Sequence, residues 1–111
     1  MKKGFYMIAT KNGIMEPEEG SFEHHYPLMV NRRIDWHGWP HSWSVTHIQT
    51  GRSISTNLPL SVARKLAKNI KDCKVWEVSL TFDDVHDYLA SETQEKEFIM
   101  NERDKAQRGY R

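Results

Sequence analysis

Trp43-Ser44-Val45-Thr46-His47-Ile48-Gln49-Thr50-Gly51-Arg52-Ser53-Ile54-Ser55-Thr56 is the stretch whose reading decides the fold. Its first seven residues alternate, with Trp43, Val45 and His47 on one side and Ser44, Thr46 and Ile48 on the other. That period of two marks a strand with one buried face. Thr50-Gly51-Arg52 reads as a turn and Ser53–Thr56 as a short return strand, which makes a hairpin. Next comes a change of period. Asn57 or Ser61 can cap a helix, and Pro59 suits a first turn. Val62, Ala63, Leu66, Ala67 and Ile70 then share one face on a 3.6-residue repeat, opposite Arg64, Lys65, Lys68 and Lys71. This predicts an amphipathic helix over 59–71.

Upstream of the hairpin, residues 4–10 are β-prone, and Asn12-Gly13 is a hairpin-turn dipeptide. Ile14-Met15 begins a return strand that Pro17 is expected to stop, leaving 16–20 as an acidic loop. Tyr26–Val30 reads as an edge strand, because Pro27 cannot donate to a ladder. Downstream, residues 74–80 alternate and are expected to form a strand. Thr81 caps a helix over 82–90, with Asp83 and Asp84 in its first turn and Phe82, Val85 and Leu89 as its apolar stripe. Residues 91–97 hold no apolar side chain, and Phe98-Ile99-Met100 then forms a second apolar patch. Covering that patch suggests a homodimer through the C-terminal segment. The expected fold is therefore α+β: a small, mainly antiparallel sheet with one amphipathic helix packed on a face and a charged C-terminal helix. Residues 1–90 are read as a single domain, and 91–111 as its charged helical extension.

The chain has 111 residues, room for one domain with its own core. Twelve aromatic residues argue against a disordered chain. One cysteine, Cys73, cannot form an internal disulfide. The opening Met-Lys-Lys resembles the start of a signal segment, but its apolar run ends at Lys11, and no long apolar stretch follows. A cytoplasmic protein with no membrane association is expected. Net charge is only +1, yet it is unevenly spread: −1 over residues 1–23, +6 over 24–76 and −7 over 77–104. Such blocks either attract each other within the fold or present faces of opposite sign to partners.

The densest chemistry lies in Arg32-Arg33-Ile34-Asp35-Trp36-His37-Gly38-Trp39-Pro40-His41-Ser42-Trp43. Gly38 and Pro40 make it a loop. Indoles beside guanidinium groups suit stacking recognition and are common anchors of protein interfaces. Two arrangements are open: rings facing outward to grip a partner, or rings folded inward to roof the sheet. The histidines do not form a metal motif, since Gly38 and Pro40 prevent the helix that would align His37 with His41, and no cofactor is expected. No phosphate loop or nucleophile elbow occurs, so the chain is not expected to be an enzyme. The helix face bearing Arg64, Lys65, Lys68 and Lys71 lacks interleaved acids, which suits phosphate or an acidic partner.

Residues Trp43–Ile54, followed by Leu60-Ser61-Val62-Ala63-Arg64-Lys65-Leu66-Ala67, resemble small bacteriophage-encoded accessory proteins with a Trp-x-x-Thr-His-Ile strand, a Thr-Gly turn and an alanine-bearing helix. The likeness spans about 25 residues. His47 and Gly51 match its pattern, for strand pairing and for a turn needing positive φ. The resemblance implies a viral accessory protein that neutralises a host or defence protein, with no catalytic residue to transfer. The expected partner site is Arg32, Arg33, Trp36, His37, Trp39, His41 and Arg52. The alternative is a nucleic-acid or nucleotide binder using Arg32, Arg33, Arg52 and the basic helix face.

Overall fold

The structure is a computed structural model that describes residues 1–10, 12, 14–33, 42–78, 87 and 94–110. Five strands, β1 (Lys2–Ala9), β2 (Met15–His25), β3 (Leu28–Arg33), β4 (Trp43–His47) and β5 (Ser53–Leu58), pair antiparallel in sequence order. Among the described residues three helices follow: α1 (Leu60–Ile70), the single turn α2 (Val75–Val78) and α3 (Gln94–Gln107); the expected helix over 82–90 lies, but for Asp87, outside the described residues. This is the expected α+β arrangement, a mainly antiparallel sheet with an amphipathic helix on one face and a charged C-terminal helix.

Register explains which face is buried. Val30 pairs with Val45 and Leu28 with His47, so these side chains, with Trp43, line one face. Helix α1 lies across β3 and β4, while α3 packs on α1 and β5. Ala63, Leu66, Ala67 and Ile70 of α1 close that core, as the 3.6 repeat predicts. Neither Asn57 nor Ser61 caps α1. Pro59 holds the N-cap position with no side-chain bond, and Asn57 is in the left-handed region at φ 58°.

Four further expectations are corrected. Residues 16–20 are not a loop but the first half of β2, and Pro17 does not stop the strand. Thr10 N–H donates to the Ile14 carbonyl, so even-numbered residues of β1 bond β2 and Pro17, opposite Met7, turns its missing donor away from β1. Strand β3 reaches only as far as Gly20, so no partner there needs that donor. Second, β3 is the central strand rather than an edge, because Tyr26-Pro27 precedes it in the turn, with a cis peptide. Third, 75–78 is a helical turn, not a strand. The Glu95 carboxylate, brought in by α3, accepts the N–H groups of Lys74 (3.0 Å) and Val75 (2.8 Å) and caps it from twenty residues away. Fourth, the patch at 98–100 is not wholly stranded: Ile99 is buried in the chain's own core, leaving Phe98 as its exposed member.

The sheet coils strongly. Ala9 N–H donates to the Gly51 carbonyl at 2.8 Å, which brings the end of the first strand against the turn between the last two. Gly51 has φ +69°, and a Cβ there would stand 2.6 Å from the Ala9 nitrogen. Gly109 has a similar φ of +72° but open space around it. Gly51→Ala is therefore expected to destabilise the fold by more than about 2 kcal/mol, and Gly109→Ala by about 1 kcal/mol, from backbone strain alone. Urea unfolding of the two variants checks this; equal losses would mean that the turn does not hold β1.

Candidate functional site

Sheet alternation places Tyr6, Ile8, Asn31 and Ser44 on the face opposite the helices, where the coil turns them toward β5. Between them and β5 lies a cavity of about 230 Å³. Ser42, Ser44, Ser53 and Thr56 line it with hydroxyls, Asn31 and Asn57 with amides, and Arg32 and Arg33 stand at one end. Among the described residues no carboxylate lines it. Asn31, Ser42 and Tyr6 are buried, and Thr46 Oγ1 donates to Asn31 Oδ1 at 2.7 Å, fixing that amide. The described lining is thus rich in polar groups, a setting that suits a polar guest.

The two arginines diverge from adjacent positions. Arg32 carries its guanidinium carbon to 5.7 Å from the centre of the Trp43 ring, and Arg33 Nε stands 3.3 Å from Glu18 Oε2. Trp43 itself is 8% exposed and belongs to the core, so it is no part of a gripping surface. Trp36, His37, Trp39 and His41 lie outside the described residues. Arg52 sits at the other end of β4 from Arg32, half-buried. Burial, then the neighbouring charge of Arg103, hold its guanidinium below the ordinary range.

The basic face of α1 is partly engaged within the fold. Arg64 makes a two-pronged pair with Glu23, at 2.7 and 3.0 Å. Hydrogen bonding from Arg64, opposed by burial and helped by His25, holds the Glu23 carboxyl at about 2. Lys65 lies 4.4 Å above the Tyr110 ring. Lys68 is exposed, and Lys71 borders a second cavity with Tyr26, Asp72 and Glu77. The sequence therefore brings Arg32 and Arg33 to one cavity and separates them from Arg52 and the helix face. Tyr6, Asn31, Ser42 and Ser44 were not singled out by motif; only their alternation in the strands marks their face.

His47 is fully buried and committed to structure. Its Nε2 lies 3.0 Å from the Trp76 carbonyl oxygen, which can only accept, so Nε2 carries the proton. Nδ1 then accepts from Thr50 Oγ1 at 2.8 Å. Burial lowers the His47 pKa, against the raising effect of the Trp76 carbonyl. Burial likewise pushes the Cys73 thiol up to about 11, with Glu95 and Asp72 adding to it, so this thiol is not an activated nucleophile. Among the described residues no group of three histidine, cysteine or carboxylate side chains is placed to hold a metal. No family model, curated protein or solved structure matches the chain.

Because the folded His47 pKa is depressed, the unfolded chain holds the extra proton at mildly acid pH. The stability this residue secures is full above its unfolded pKa of 6.5 and falls as pH drops through that value. Glu23 acts in a lower window, losing its contribution between 4.5 and about 2. Urea unfolding at about pH 7.5 and about pH 5.5 is expected to show a loss of up to ~1.4 kcal/mol per unit below the His47 unfolded value, flattened in His47→Gln. An identical slope in that variant would contradict the assignment.

Proposed function

We propose that this chain is a non-enzymatic binding protein that captures another protein through the sheet end where β3 stops and β4 starts. The observation that carries this reading is the place of Arg32 and Arg33 beside a polar cavity lined by hydroxyl- and amide-bearing residues, at the roots of the segment holding Trp36 and Trp39. Guanidinium and indole groups supply interface anchors at low conformational cost, and the cavity supplies fixed donors beside them. The buried histidine is fully hydrogen-bonded and the thiol is not activated, which directs the reading toward recognition. The resemblance to phage accessory proteins extends it to inhibition of a host or defence protein in the cytoplasm of the host.

Nucleic-acid binding has less support, because Arg64 is engaged by Glu23 and Lys65 by Tyr110. Affinity capture from bacterial lysate, with and without nuclease, separates the two. A discrete protein retained after nuclease treatment is expected. Its retention should fall at least about tenfold in a Trp36→Ala/Trp39→Ala variant, the loss of two interface anchors, with the melting temperature unchanged. Retention that disappears with nuclease and weakens steeply with salt would favour nucleic acid. A collapsed melting temperature would place those rings in the core.

A further inference from the structure

Strand β1 is an edge of the sheet, and its outward side follows from two hydrogen bonds. Thr10 N–H bonds the Ile14 carbonyl inside the hairpin, whereas Ala9 N–H points the other way, to Gly51. Odd-numbered residues of β1 therefore aim their main-chain groups away from β2. Ala9 is satisfied by the turn. Lys3, Phe5 and Met7 are the outward-facing residues beyond it, and among the described residues no main-chain bond across this edge is made by them.

The side chains at the same positions are uncovered. Phe5 is 71% exposed and Met7 is 42% exposed, next to exposed Pro17, with Ile14 exposed at the hairpin tip. Charged residues commonly guard a sheet edge, but here Lys2 and Lys3 occupy only the first two positions. Gly4–Ala9 carries no charge and no proline. On β2, Glu16 and Glu19 are exposed and, among the described residues, have no ion pair; they stand opposite Ile8 and Phe5.

We propose that β1 pairs antiparallel with β1 of a second copy of this chain, centred on Phe5, to make a continuous ten-stranded sheet. In that register Phe5 meets its counterpart, and Lys3 of one copy lies opposite Met7 of the other. The ladder ends at Lys3 and Met7, because the Gly51 turn covers the outward side of Ile8 and Ala9, and Lys2 lies just beyond it on the sheet face that also carries Glu16. Lys3 falls diagonal to Phe5, whose neighbour is Glu19. The basic end of each strand thus faces the acidic flank of its partner. This charge match is a property of two antiparallel copies and selects a second copy as the occupant. The surface uses the outward main-chain edge of β1, whereas the cavity at Arg32 and Arg33 uses the Tyr6 and Ile8 positions of that strand.

Sedimentation equilibrium of the full chain tests the pairing. A dimer with a dissociation constant on the order of 10–100 μM is expected at low salt, weakening as salt rises, because the interface is small and its charges are exposed. Lys2→Glu/Lys3→Glu and Glu16→Lys/Glu19→Lys should each weaken it at least about tenfold, and the fourfold variant carrying both swaps should restore it. Met7→Pro removes an outward N–H that the monomer does not use and should leave a folded monomer. A wild-type chain that stays monomeric throughout, a fourfold variant that fails to recover, or a dimer lost on Phe98→Glu but not on Phe5→Glu would overturn the proposal.

Discussion

The buried His47 imidazole is the constraint on which the rest of the architecture depends. It stands on the core face of β4 and ties three parts of the chain together. Nδ1 takes the Thr50 hydroxyl of the β4–β5 turn, and Nε2–H reaches the Trp76 carbonyl of α2. Trp76 in turn donates its indole N–H to the Ile70 carbonyl at the end of α1, at 2.7 Å. Glu95 of α3 caps the turn that carries Trp76. Sheet, turn and the helices α1, α2 and α3 therefore converge on one polar cluster inside an apolar core. Each such group left unpaired would cost about 1–3 kcal/mol, so the cluster favours a single complete arrangement.

Other polar pairs brace the outside of this core. Arg64, Glu23, Lys65 and Tyr110 hold α1 and the end of the chain in place, and burial with the nearby Glu102 pushes the Tyr110 hydroxyl up to about 12. Arg32 and Arg33 lie instead where the ladder between β3 and β4 opens. The outward side of β1, with its exposed Phe5, is the other surface the core does not use.

The hairpin at 43–58 and helix α1 were legible in the sequence because each repeats one period long enough to show a buried face. The pairing of β1 with β2 was legible from the β-prone run at 4–10 and the turn dipeptide after it. What misled was proline and reach. Pro17 signals a strand end only if its missing donor is needed, and that depends on where β3 stops. Val75–Val78 alternates like a strand, yet its helical turn is fixed by Glu95, a residue no local window contains. Ile99 reads as a stranded apolar residue until α3 is seen lying on α1. At the site, Arg32 and Arg33 stood out by composition. Tyr6, Asn31, Ser42 and Ser44 did not, because they meet only when the sheet coils far enough for Ala9 to reach Gly51.

The claim that a locked, neutral His47 organises this fold is tested most directly by imidazole ¹⁵N NMR. The account predicts a single tautomer with the proton on Nε2 and no titration of this ring at the ordinary histidine pKa, roughly 6.5. A His47 ring that titrates near that value, or that carries its proton on Nδ1, would contradict it.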